Sequence, residues 1–448
     1  MSALLEPVTL RGVTARNRVW LAPMCQYSCF ARDGVPTDWH LAHLVARASG
    51  GFGLLLTEAT AVVPEGRISP EDTGLWDDAQ QEAWGRVVAA VHEQGVPIGV
   101  QLAHAGRKAS TFAPFADPRA AATGEGSVPV EDGGWETVAP SAVAFPGYAT
   151  PRALSLEEVR ELPARFADAA RRADAAGFDA VEVHAAHGYL LHQFLSPLSN
   201  ERDDEYGGSF ENRTRLVVEV VDAVRAAWPD DKALVVRFSG TDWLDGGWTS
   251  AETARLSREL ADHGVDLVDV SSGGLLPADI QVGPGYQVPL AREVRDGSGL
   301  PVGAVGLITD PQQAEEVLER GDADVVLLAR AALREPGWPQ RAAHELGPHG
   351  IRVNSVHPGM IDTPMTPGAR RCSRPRSSAR TCFRSRRPCG PPSASTRAAR
   401  RRSRCACSRT RVTACCTATS DARPRGLPAQ ASPGPARWCS CSRARCCS

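Results

Sequence analysis

Along most of the chain, short runs of aliphatic and β-branched residues alternate with longer stretches in which apolar positions recur every three or four residues. The apolar runs fall at 18–21, 54–56, 98–102, 180–183, 234–238, 267–270, 302–305 and 325–328. Runs of this kind, mostly apolar but carrying Arg18, Gln101, Glu182, Arg237 and Asp269, read as short strands. The stretches between them read as amphipathic helices. The clearest opens on Ser155-Leu-Glu-Glu, a capping box, runs to Ala176 and stops at Gly177. Eight strand-plus-helix units within about 345 residues predict the α/β class, as a (β/α)8 TIM barrel rather than a doubly wound sheet.

In such a barrel the C-terminal strand ends converge on one mouth, where the fold builds its sites. In chain order, the predicted exits carry Cys25 and Tyr27; Glu58 and Thr60; Gln101 and His104; His184, His187 and Tyr189; Arg237 and Ser239; Ser271 and Ser272; Gly306; and Arg330. The densest is Ala180-Val-Glu-Val-His-Ala-Ala-His-Gly-Tyr189, an apolar strand running into two histidines and a tyrosine. That set can grip an oxygen atom and deliver a proton. A zinc site is the other sharp reading, but a helical metalloprotease site needs H-E-x-x-H, and no metal is expected here. Gly306 and Arg330, the latter taken as opening the last helix, occupy the late-strand place where barrels seat a phosphate. Arg237 is positioned to neutralise negative charge on a reduced ring.

The chain has no G-x-G-x-x-G, no Walker sequence and no Y-x-x-x-K, so hydride chemistry calls for a carrier other than a Rossmann-bound nicotinamide. An aldolase would want a Schiff-base lysine at a strand end, whereas Lys108 and Lys232, the only lysines, lie outside the predicted strands. A long Gly-, Pro- and Ala-rich loop, 109–140, reads equally as a lid over the mouth or as a solvated insertion.

Composition divides the chain. Residues 368–448 hold 20 arginines, no lysine and a single acid, Asp421, for a charge of +19, whereas residues 1–367 hold 30 basic and 51 acidic residues, for −21. Eleven of the 13 cysteines lie in the same tail, leaving Cys25 and Cys29 in the remainder, as expected of a reduced, cytoplasmic protein. The start lacks the basic and apolar regions of a signal peptide, and no apolar run reaches roughly 18 residues, so no membrane partner is expected. After Pro367, Val412 and Leu427 are the only Val, Ile or Leu residues. Such a segment is expected to be disordered, or to be coding sequence read out of frame. Its arginine runs offer a second function class, a tail that binds nucleic acid or anionic surfaces, tested by salt-dependent affinity.

Residues 1–346 resemble the Old Yellow Enzyme family of FMN-dependent ene-reductases, in particular the bacterial NADPH dehydrogenase subgroup with a cysteine near the flavin. The resemblance is carried by Ala22-Pro-Met-Cys-Gln-Tyr-Ser28, Gln101-Leu-Ala-His-Ala-Gly-Arg-Lys108, Glu182-Val-His-Ala-Ala-His-Gly-Tyr189 with its continuation to Asn200, and Asp203-Asp-Glu-Tyr-Gly-Gly-Ser209. It implies that Ala22, Pro23, Met24, Cys25, Ala59 and Gln101 bind the isoalloxazine. It places Arg237 beside the ring's N1 edge, and Gly306, Ala329 and Arg330 at the phosphate, Ala329 standing where the family often has glycine. His184 and His187 would hold the oxygen of an activated alkene, Tyr189 would protonate it, Tyr27 and Cys25 would line the pocket, and Cys25 would tune the flavin. NADPH, ahead of NADH, would reduce the flavin in the same cavity in ping-pong fashion.

The iron–sulfur branch of the family is excluded by the barrel's two cysteines. The resemblance fades at Gly347. Residues 347–367, with Gly350-Ile-Arg-Val-Asn-Ser-Val-His-Pro-Gly-Met-Ile-Asp-Thr-Pro-Met365, resemble a short-chain dehydrogenase fragment without its nucleotide site. The expectation is a chimeric chain, catalytically impaired because the segment that completes a neighbour's pocket is replaced. Its homodimer or homotetramer would be weakened for the same reason.

Overall fold

The computed structural model describes residues 2–113 and 126–347, which build a closed barrel of eight parallel strands. The strands are β1 (Val19–Leu21), β2 (Leu54–Ala61), β3 (Ile98–Ala103), β4 (Ala180–Ala185), β5 (Ala233–Ser239), β6 (Leu267–Ser271), β7 (Val302–Ala304) and β8 (Val325–Leu328). Each strand pairs with its sequence neighbours, and the ring closes where Val326 meets Val19 and Leu328 meets Leu21. All eight predicted runs become strands. Arg18 falls outside β1, and β2 extends to Ala61 through a register shift between Leu56 and Ala59. The shift is the signature of a β-bulge, which re-aims side chains at a barrel rim.

Among the described residues the longer helices around the strands are α1 (Asp38–Ser49), α2 (Asp78–His92), α3 (Leu156–Ala175), α4 (Phe210–Ala227), α5 (Ser250–Asp262), α6 (Val288–Ser298), α7 (Pro311–Glu319) and α8 (Trp338–Glu345). The predicted capping box is present at α3, and α1, α2 and α5 open on boxes of the same kind at Thr37, Asp77 and Thr249. Each such cap stabilises its helix by about 1 kcal/mol. Contrary to the sequence reading, Arg330 does not open the last helix. It opens a separate short one, Arg330–Arg334, ahead of α8.

Two apolar layers hold the barrel. Trp84, Phe166, Phe178, Val217 and Val221 fill the space between strands and helices. Trp20, Leu56, Val235, Leu267 and Leu327 form an inner layer, with Leu10 and Ala15 packed against them. The last two come from a hairpin that the sequence pattern did not reveal, Val8–Leu10 paired antiparallel with Val13–Ala15. Gly12 donates to the Asp231 carbonyl just ahead of β5, so the hairpin closes the N-terminal end of the barrel. No helix among the described residues is long and apolar enough to cross a membrane. The short-chain-dehydrogenase-like segment, the arginine-rich tail and the centre of the 109–140 loop lie outside the described residues.

Candidate active site

Strand β4 ends at Ala185 and the chain turns at once through His187 and Gly188, whose φ angles are +59° and +72°. The turn brings the predicted trio together. The His184 and His187 rings stand edge to face with centroids 5.1 Å apart, and the Tyr189 ring meets His184 at 5.2 Å. Burial holds both imidazole pKa values well below the ordinary histidine range, and Arg237 adds to the effect. Burial likewise pushes the Tyr189 phenol well up. At neutral pH the cluster is therefore two neutral imidazoles and one phenol that keeps its proton. His187 Nε2 lies 2.7 Å from Ser271 Oγ at the end of β6. His184 Nδ1 is buried without a hydrogen-bond partner among the described residues.

Below the trio the barrel interior is charged. Gln101 donates to Glu182 at 2.6 Å, and Arg237 Nε lies 2.8 Å from Asp269 Oδ2. Burial pushes the carboxyl of Glu182 up to about 8, with Asp269 adding to it and Arg237 opposing, and burial also raises Asp269. Arg237 is not at the tip of β5, as the sequence reading had it, but inside the strand and in register with His184 on β4. It is thereby set beside the trio on a buried ionic support.

The segment after β1 forms another wall. Ala22 is buried and donates to the Leu328 carbonyl across the barrel closure. Pro23 and Met24 lead to Cys25, and Tyr27 sits at φ +50°. Cys25 packs with Tyr189 against a small apolar cluster built on Ala59, Ala103, Ala105 and Ala109. Burial, reinforced by Asp72 and Glu58, raises the Cys25 thiol well above its ordinary pKa, and burial does the same to the Tyr27 phenol. Cys25 is a thiol here and not a thiolate nucleophile. Glu58 departs from its predicted position in the mouth. Its carboxylate turns outward to His40 of α1, 2.9 Å away, and accepts from the Gln26 amide at 3.0 Å, so it anchors the Cys25–Tyr27 turn from behind.

The late strands carry the phosphate candidates. Gly306 has φ +108°, and a Cβ there would meet Gln287 Cβ at 3.0 Å. Ala329 and Arg330 stand at the start of the short helix, where backbone amides lack intrahelical acceptors. Three contributors escaped the sequence reading. Lys108 donates to the His187 carbonyl at 2.8 Å and the Gly274 carbonyl at 3.0 Å, with its ammonium 5.1 Å from the Tyr189 ring centroid. Gln193 donates to the Gly188 carbonyl at 2.7 Å. Trp135, from the described part of the long loop, packs on the cluster shared by Cys25 and Tyr189.

The mouth of this parallel barrel joins neutral donors, a buried arginine and, at Gly306, a backbone position open to a ligand, and the matching family makes the fold that of a flavin oxidoreductase. Residues 3–348 match the NADH:flavin oxidoreductase / NADH oxidase family, and the chain belongs to that family. It is 48% identical over 347 residues to an NADPH dehydrogenase of Geobacillus thermodenitrificans, covering 77% of this chain and 95% of that protein. It is 45% identical over 344 residues to an NADPH dehydrogenase of Bacillus subtilis, covering 77% and 95%. Among solved structures it is similar to an old yellow enzyme homologue from Zymomonas mobilis, with a TM-score of 0.65, 31% identity and coverage of 77% of this chain and 93% of that one. Morphinone reductase in complex with tetrahydroNAD is another, with a TM-score of 0.63, 29% identity and coverage of 79% and 93%.

Residues 313–390 also match the enoyl-(acyl carrier protein) reductase family of short-chain type. As far as Leu328 the barrel accounts for that stretch, since β8 is bonded to both β7 and β1. The protein is thus an FMN oxidoreductase. Its residues fit the cofactor: Arg237 sets a buried cation inside the barrel, and the positive φ at Gly306 leaves backbone where a side chain would crowd Gln287.

Proposed function

We propose that this protein reduces activated C=C bonds, those of enones and nitroalkenes, with NADPH as the reductant. The observation that carries the reading is the pairing of two buried, neutral imidazoles with a protonated tyrosine in one edge-to-face cluster. FMN, which Gln101, Arg237, Gly306 and Arg330 would help to hold, would supply a hydride for the β-carbon of the alkene. His184 and His187 donate hydrogen bonds to the carbonyl or nitro oxygen, drawing electron density from the double bond. Tyr189 delivers its proton to the α-carbon; in the enolate formed from an enone that carbon is far more basic than a phenolate, so a raised phenol pKa is no obstacle there. The Lys108 ammonium, 5.1 Å from the Tyr189 ring centroid, stabilises the phenolate as it forms. Arg237 is held by Asp269 on the side of the cavity where negative charge accumulates.

The test is an anaerobic titration followed by single turnover. NADPH should bleach the flavin absorbance and 2-cyclohexenone should restore it; a flavin that NADPH cannot bleach refutes the proposal. His184→Ala should slow the alkene step by about 10²- to 10³-fold, as for loss of one oxyanion donor. Because both imidazole pKa values are displaced downward, the alkene step should show no break as pH falls through about 6.5.

A further inference from the structure

The turn that carries the site is costly to hold. Two consecutive residues, His187 and Gly188, have positive φ, and a Cβ on Gly188 would lie 2.2 Å from the Gly274 carbonyl oxygen. A strained backbone of this kind persists where its surroundings over-determine it. Here each of the four polar backbone groups of the two residues is held by a side chain. Ser239 Oγ accepts from the His187 amide at 2.9 Å, and Lys108 donates to the His187 carbonyl at 2.8 Å. His192 Nδ1 accepts from the Gly188 amide at 2.9 Å, and Gln193 donates to the Gly188 carbonyl at 2.7 Å. His192 and Gln193 both belong to the short helix Leu190–Leu195, which Tyr189 caps, so the turn and the helix after it brace each other.

Of the four supports, His192 alone can exchange donor for acceptor by moving a proton between its ring nitrogens. If Nδ1 carried the proton it would face the Gly188 N–H donor to donor. Facing Nε2 is Asp242, whose Oδ1 lies 2.9 Å away, both side chains being fully buried, and a carboxylate there favours the proton on Nε2. Oδ2 of the same carboxylate accepts from the Ser196 hydroxyl at 2.6 Å and from the Trp248 amide at 2.7 Å. With Ser196 and the Trp248 amide both donating to Oδ2, Oδ1 is the oxygen left to face His192. Asp242 comes from the segment after β5, and His192 from the one after β4. The fold spends a buried carboxylate on orienting one imidazole, and that imidazole touches the backbone between His187 and Tyr189.

We infer that His192 and Asp242 are the positioning pair of the reaction: Asp242 holds His192 in its Nε2–H tautomer, His192 holds the Gly188 amide, and the two together aim His187 and Tyr189 at one substrate. The inference rests on the proposed role of Tyr189 as proton donor. Asp242→Asn is the discriminating change. An amide in that place cannot both receive the Ser196 and Trp248 donors on one atom and accept from His192 on the other, because one of its two atoms is itself a donor.

The experiment uses the full chain loaded with FMN and labelled with 15N-histidine, alongside stopped-flow rates of the two half-reactions, reduction by NADPH and reoxidation by 2-cyclohexenone. The expected result is a His192 resonance pair of the Nε2–H form in the parent protein, assigned by its loss in His192→Asn, and of the Nδ1–H form in Asp242→Asn. The 2-cyclohexenone step should fall by about 10- to 100-fold in Asp242→Asn, as for a misplacement near 1 Å, with FMN content kept and NADPH reduction much less affected. His192→Leu, which leaves the Gly188 amide without an acceptor, should lose as much. His192→Asn, whose side-chain oxygen can stand near the place of Nδ1, should recover part of the loss. An Asp242→Asn protein whose His192 stays Nε2–H, or whose 2-cyclohexenone step matches the parent while Tyr189→Phe is slow, overturns the inference and leaves the proposed function standing. A Tyr189→Phe protein as fast as the parent removes the proton donor itself, and the positioning role with it.

Discussion

The two ends of the barrel are built on opposite plans. The N-terminal floor is closed by the Val8–Leu10 and Val13–Ala15 hairpin over an apolar layer of Trp20, Leu56, Val235, Leu267 and Leu327. Its polar contacts are peripheral, such as the partly exposed Arg11 and Asp266 pair at 2.6 Å. The mouth is paved with buried polar groups, among them Gln101, His184, Glu182, Arg237 and Asp269. Backbone strain follows the same division. Tyr27, Ser110, His187, Trp243 and Leu307 are non-glycine residues at positive φ after β1, β3, β4, β5 and β7, whereas the floor hairpin has Arg11 at its turn. Buried polar groups and backbone strain are concentrated at the mouth, where the chemistry is, so a change there should disturb both folding and chemistry, and a change to a polar contact of the floor should disturb little of either.

The largest test of that contrast is Arg237→Met. It leaves Asp269 buried without its cation, and loss of one partner of a buried pair costs about 3–5 kcal/mol. Urea unfolding should show that loss together with released FMN; a variant as stable as the parent would mean that the interior charge is already neutralised.

Next comes His104 at the exit of β3, whose ring pKa burial lowers to about 4. Above the ordinary value of about 6.5 the ring is neutral in both folded and unfolded chains, and its contribution is complete. As pH falls from there toward about 4, the unfolded chain binds a proton that the folded one refuses, and up to roughly 3 kcal/mol is lost. His104→Asn should keep an acceptor for the Gly106 amide and flatten that limb of the stability–pH curve.

Gly188→Ala forces a side chain into φ +72° and against the Gly274 carbonyl, and should cost at least about 1–3 kcal/mol and slow the 2-cyclohexenone step. The smallest effect belongs to the floor. Arg11→Ala removes a partly exposed pair worth about 0–1 kcal/mol, and both half-reactions should keep their rates. A kinetic defect there would erase the distinction between the two ends.

The barrel was legible in sequence because its buried strands read as short, largely apolar runs recurring between amphipathic helical stretches, even though Gln101, Glu182, Arg237 and Asp269 interrupt them. The hairpin was not, since its strands are three residues long and each carries an exposed residue. His184, His187 and Tyr189 were visible because they stand at the end of one strand and within a few residues beyond it, and the structure gathers them. Glu58 misled because a bulge in β2, invisible to a period of two, turns its side chain outward to His40. The His192 and Asp242 pair lay beyond sequence reasoning for a different reason. Fifty positions separate the two residues, and only the adjacency of β4 and β5 brings them to 2.9 Å.

The filled N-terminal end also bears on traffic. With side chains and the hairpin occupying that end, the function proposed above leaves the mouth as the entrance, so NADPH and the alkene would use it in turn. Excess NADPH should then act as a competitor of its own partner substrate, raising the apparent KM for the alkene without lowering the limiting rate. Selection for faster turnover would act on the departure of the oxidised nucleotide as much as on the chemistry beside Tyr189.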